Sequence, residues 1–84
     1  MKKANKKNND NWSEWFGNRI RSLIEKKGYK SPYDFWIQEC GDDISRATLD
    51  NILNGRYDPK ISTIRKIARA LNISLKTIFD ETDL

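Results

Sequence analysis

The chain has 84 residues, 16 Lys and Arg against 12 Asp and Glu for a net charge of +4, one cysteine and no histidine. This length allows one domain with one small core. A lone Cys excludes an internal disulfide and, without His, leaves no usual zinc ligand set, so packed helices must supply the stability, with or without a partner chain.

Residues 1–11, MKKANKKNNDN, contain no apolar residue beyond Met1 and Ala4. They are expected to form a disordered basic arm carrying Lys2, Lys3, Lys6 and Lys7. Such a charge run is by default a solvated tail; the functional alternative is an arm lying along DNA. A domain is expected over 12–80, with 81–84 frayed. Its first helix starts near Asn11 or Trp12, with Asn11 as cap and Glu14 completing a capping-box-like pair. Trp12, Phe16, Ile20, Leu23, Ile24 and Lys27 follow the 3.6-residue spacing, which turns Arg19, Arg21, Glu25 and Lys26 outward. Gly28 stops this helix.

Ser31-Pro32 starts a second helix, which runs to about Cys40. Phe35, Trp36 and Cys40 face inward, Tyr33 and Ile37 lie near the edge, and Cys40 reads as a small buried hydrophobe. Ser45, preceded by apolar Ile44, caps a third helix whose inner face is Leu49, Ile52 and Leu53. Asn54-Gly55 ends it. A loop through Arg56, Tyr57 and Pro59 leads to a fourth helix capped by Ser62, with the stripe Ile64, Ile67, Ala68 and Leu71. Asn72 closes it, and Ser74 caps a short fifth helix with Leu75, Ile78 and Phe79. No segment alternates with a period of two, so no strand is expected. The fold class is therefore all-α, a bundle of five helices.

The chemistry argues against an enzyme. There is no imidazole for general-base work, no Gly-rich phosphate loop, and little room for a closed pocket. No cofactor, metal or small-molecule substrate is implied. No run approaches the roughly 20 apolar residues of a membrane span, and the basic N-terminus has no apolar stretch behind it. The single thiol fits a reducing, cytoplasmic setting. Charge is unevenly spread: residues 1–30 hold nine basic and three acidic residues, 31–60 three and six, and 61–84 four and three. The basic excess suits nucleic acid, although it lies mostly outside the middle segment.

The order of a short helix, a Gly turn, a short helix with a polar outer face, a Pro-containing loop and an amphipathic helix is that of a helix-turn-helix. The stretches ISRATLDNILNGRYDP and ISTIRKIARALNISLKTIFD resemble the lambda-repressor-like, or XRE-type, family of DNA-binding domains, with coverage from about Trp15 to Asp80. The resemblance implies that the third helix enters the major groove. Base-reading candidates are then Arg46, Ala47 and Asn51, with Asp50 beside them. Arg can pair with guanine, Asn with adenine, and the Ala methyl can meet a thymine methyl. Asp50 can accept from cytosine or orient Arg46, and the orienting role is favoured because phosphates repel a carboxylate. Phosphate contacts are implied for Ser31, Tyr33, Thr48, Asn54, Arg56 and Lys60, helped by the backbone N–H groups that open the second helix.

Two features depart from the family pattern. The turn Gly41–Ser45 is about two residues longer than usual. Trp36 or Ile37 stands where a small residue normally lets the second helix cross the third, and would push the two apart. The reading is a sequence-specific regulator of double-stranded DNA acting as a repressor, a homodimer on a near-palindromic operator, with Leu75, Ile78, Phe79 and Leu84 as the dimer surface. The alternative, favoured by the acidic middle segment and the exposed aromatics, is a helical protein-interaction module such as an antitoxin-like or adaptor domain.

Overall fold

The computed structural model describes residues 11–80, so the expected arm before Asn11, the frayed end 81–84 and Leu84 lie outside the described residues. Five helical segments follow one another: α1 (Trp12–Lys26), α2 (Pro32–Phe35, continued by a π-helical turn over Trp36–Cys40), α3 (Arg46–Leu53), α4 (Ile61–Leu71) and α5 (Leu75–Phe79). The described residues contain no strand.

The helix ends follow from their capping residues. Ser31, Ser45 and Ser74 are extended, and each side chain accepts the N–H three residues on, the geometry that makes Ser a good cap. Asn11 does not act this way. Its backbone (φ −98°, ψ 16°) is not extended, its side chain makes no capping bond, and only its carbonyl accepts, from Trp15 N at 2.9 Å. Ser62 is likewise not a cap. α4 begins two residues earlier than such a cap would place it, at Ile61, with Lys60 in the cap position. α1 ends at Gly28 (φ +94°), where Tyr29 N reaches Ile24 O and Gly28 N reaches Glu25 O. That pair of bonds is a Schellman motif, and it needs a left-handed residue. Asn72 (φ +59°) closes α4 in the same way.

Phe16, Ile20, Phe35, Leu49, Ile52, Ile67 and Ile78 form the centre of one core, all with 1% or less of their surface exposed. α1 packs most extensively against α3, and Gly17 allows it. A Cβ there would lie 2.5 Å from Ile52 O and 2.7 Å from Leu53 O.

Arg19 corrects the expectation that it points outward. It is only 2% exposed. Its Nε donates to Ile78 O at 2.8 Å, and its Nη2 to Thr77 O at 2.6 Å and Asp80 O at 3.1 Å. A helix leaves its last carbonyls without intrahelical donors. Arg19 supplies them for α5, and its charge also opposes the negative end of that helix's dipole. The helical period places residue 19 beside the apolar stripe, and tertiary packing turned it inward.

The long turn before α3 is absorbed locally. The last turn of α2 widens into a π-helical turn, and Gly41 (φ +54°) reverses the chain. The Trp36 indole Nε1 donates to Ile44 O at 2.8 Å and ties the turn down. Ile37 avoids the crossing altogether, being 53% exposed.

Candidate nucleic-acid interface

α3 buries Leu49, Ile52 and Leu53 and so turns its opposite face to solvent. Arg46, Ala47, Asp50 and Asn54 are exposed on that face, with Thr48 and Asn51 half-buried. The surface is polar, carries small and amide side chains, and contains no large apolar group.

Arg46 is held from two sides. Its guanidinium lies over the Tyr33 ring, 4.3 Å from the centroid, and its Nε is 3.9 Å from Asp50 Oδ2. Both members of this ion pair are more than half exposed, so it adds little to stability. Its effect is to aim the guanidinium. Tyr33 in turn stacks on Trp36, with centroids 5.9 Å apart. A relay of Trp36, Tyr33 and Arg46 therefore joins α2 to the first turn of α3.

Two amides on α3 are each bound by an arginine. Arg56 Nη1 donates to Asn51 Oδ1 at 3.1 Å, and Arg21 Nη2 donates to Asn54 Oδ1 at 3.0 Å. A guanidinium has donors only, so it is the amide oxygen that faces it, leaving the NH₂ group for another acceptor. The Asn51 oxygen keeps a second lone pair, so a two-bond contact with adenine stays chemically open.

The remaining phosphate candidates are less alike than the sequence suggested. Thr48 Oγ1 accepts from Ser45 Oγ at 2.8 Å and retains its own proton for an outside acceptor. Arg56 and Lys60 are exposed. At the start of α2 the expected row of free N–H groups is largely spent. Pro32 has none, Asp34 N is bonded to Ser31 Oγ at 3.1 Å, and the Asp34 carboxylate stands alongside, accepting from Lys30 N at 3.4 Å and Gln38 Nε2 at 2.9 Å. Ser31 can still donate its hydroxyl proton. The Tyr33 ring is the platform under Arg46, and its hydroxyl can still donate to a phosphate.

The sequence reading missed Arg21 and the role of Tyr33. Arg21 and Asn54 are 33 residues apart, and no local pattern signals such a pair. Tyr33 and Arg46 meet only because the turn between α2 and α3 folds back.

Titration separates the interface from the core. Burial, then Glu39 and Asp43, push the Cys40 thiol up to about 11, which makes it a buried apolar group and not a nucleophile. The Tyr29 hydroxyl is raised by its 2.6 Å bond to Glu39. Both lie away from the open face of α3.

Two helices joined by a turn, the second offering an open polar face and both braced by three others, define an all-α helix-turn-helix DNA-binding domain. Residues 38–78, from the end of α2 into α5, match the family model described as helix-turn-helix, the lambda-repressor-like, XRE-type family. No curated protein and no solved structure gives a significant match to the chain. The family is one of DNA-binding regulatory domains, and the match supports DNA binding. No helix among the described residues is long and apolar enough to cross a membrane.

Proposed function

We propose that this chain is a sequence-specific binder of double-stranded DNA that represses transcription by occupancy, with α3 in the major groove. The open face of α3 carries this reading. Arg46, Ala47 and Asn51 read base edges there, Asp50 orients Arg46, and Tyr33 supports it from below. Ser31, Thr48, Asn54, Arg56 and Lys60 hold the backbone. One recognition helix reads too few base pairs to be specific alone. A homodimer on a near-palindromic operator, its half-sites about 34 Å apart, supplies the rest.

The dimer surface follows the apolar strip at α5, with a change from the sequence reading. Ile78 is fully buried within the monomer and is not available. Leu75 and Phe79 are exposed, and Phe79 stacks on Trp15 at 6.3 Å, which lies 6.5 Å from Trp12. The surface therefore includes the start of α1.

Selection of bound sites from random duplex DNA at two salt concentrations tests the proposal. A two-fold-related consensus and a steep salt dependence, about 0.9 log units per log unit of salt for each phosphate neutralised, are expected. If no consensus emerges and binding ignores salt, the protein-interaction alternative replaces this reading. Arg46→Ala and Asn51→Ala variants that bind the selected site as tightly as wild type would remove α3 from the account.

A further inference from the structure

We propose that Arg21, on α1, together with Asn54 at the end of α3, forms a clamp for a DNA phosphate. The inference rests on the docking of α3 proposed above and adds a residue outside the helix-turn-helix to the interface.

Three observations lead to it. Asn54 continues the outward line of α3, four residues beyond Asp50 and eight beyond Arg46, so it shares their face. Arg21 Nη2 bonds Asn54 Oδ1 at 3.0 Å, and both side chains are exposed. Arg21 also lines an open cleft of about 330 Å³ together with Asn18, Lys30 and Ser31. Lys30 is a second cation there, offset by Glu25 on the same cleft, and Ser31 already belongs to the proposed phosphate set.

The chemistry of the pair selects the ligand. Arg21 spends one donor on Asn54 and keeps four, all cationic and none able to accept. Asn54 has its oxygen turned to the arginine and its NH₂ outward. The two together present donors and one positive charge at the surface. A guanine edge also offers two acceptors but no charge, whereas a phosphate diester offers acceptors and a negative charge. The pair therefore suits the backbone and not a base. It stands at the opposite end of α3 from Arg46, where a helix crossing the groove approaches a strand.

A purely structural role for Arg21, satisfying the end of α3, is the competing explanation, and substitution separates them. Arg21→Gln can still donate to Asn54 Oδ1 but carries no charge. Arg21→Lys keeps the charge. Binding to a random-sequence duplex is measured against salt for the full chain, with thermal melting of each variant. The clamp predicts that Arg21→Gln melts as wild type, binds roughly tenfold more weakly at low salt, and loses about 0.9 from the salt slope. Arg21→Lys is expected to keep the slope. Wild-type affinity and slope in Arg21→Gln would overturn the clamp alone. A wild-type chain without salt-dependent duplex binding would overturn the proposed function and the clamp with it.

Discussion

Gly17→Ala isolates the contact that positions α3. In an exposed helix the change is favourable, because Ala exceeds Gly in helix propensity by about 0.8–1.0 kcal/mol. Here the new methyl lies 2.5 Å from Ile52 O and 2.7 Å from Leu53 O, and both obstacles are backbone. Backbone cannot rotate aside as a side chain can, so α1 and α3 must separate by at least half an ångström. Overpacking of this kind costs about 1–3 kcal/mol, and a contact blocked by two carbonyls belongs at the upper end. The net expectation is a loss of about 2 kcal/mol, from a domain that holds on the order of 4–12 kcal/mol. Urea unfolding followed by tryptophan fluorescence measures it, since Trp12 and Trp15 flank the site. Asn18→Ala, one position along and exposed, is the control and is expected to be neutral or slightly stabilising. If Gly17→Ala resists urea as well as wild type, the α1–α3 contact does not control stability and this reasoning fails.

Arg19→Met is expected to lower stability by about 3 kcal/mol, because it takes the guanidinium donors from the carbonyls of Ile78 and Asp80 and leaves Thr77 O only the 3.3 Å bond from Asp80 N; an unchanged melting temperature would contradict this. Arg46→Ala is expected to weaken operator binding by about 1–3 kcal/mol and to relax preference at one base pair, read by binding to single-base variants of the selected site. Tyr33→Leu removes the ring beneath Arg46 and is expected to cost about 0.5–1 kcal/mol of affinity, with no further loss when added to Arg46→Ala; additive losses would separate the two residues. The native Cys40 thiol, with its ionisation held up to about 11, is expected to react slowly with iodoacetamide at pH 8.5 and rapidly in urea. Equal rates would show that the thiol is not enclosed.

The parts of this molecule that depend on neighbours in sequence could be read directly. The stripe Ile64, Ile67, Ala68 and Leu71 is buried as its spacing requires, and three of the serine caps act as their positions suggest. The parts that depend on distant residues could not. Nothing near Arg19 marks it as the donor for α5, and nothing near Gly17 shows that a carbonyl pair will rest on it. The cap readings for Asn11 and Ser62 fail for a local reason, since a capping side chain is useless unless its backbone is extended at the helix boundary. In the interface, the residue types on α3 were legible from its amphipathic pattern. Their partners were not, because Tyr33, Arg21 and Arg56 reach α3 from three other parts of the chain.

The arginine under α5 also sets an order of events during synthesis. Its three acceptors lie 58 to 61 residues downstream. While the chain is still emerging from the ribosome, α1 is made before the carbonyls that accept from that guanidinium. The helix that docks on DNA is made midway, yet its support is complete only when the last carbonyl arrives. A nascent chain arrested before Asp80 is therefore expected to remain a loose assembly of helices, open to proteases, and to become competent for its target only once Asp80 has emerged.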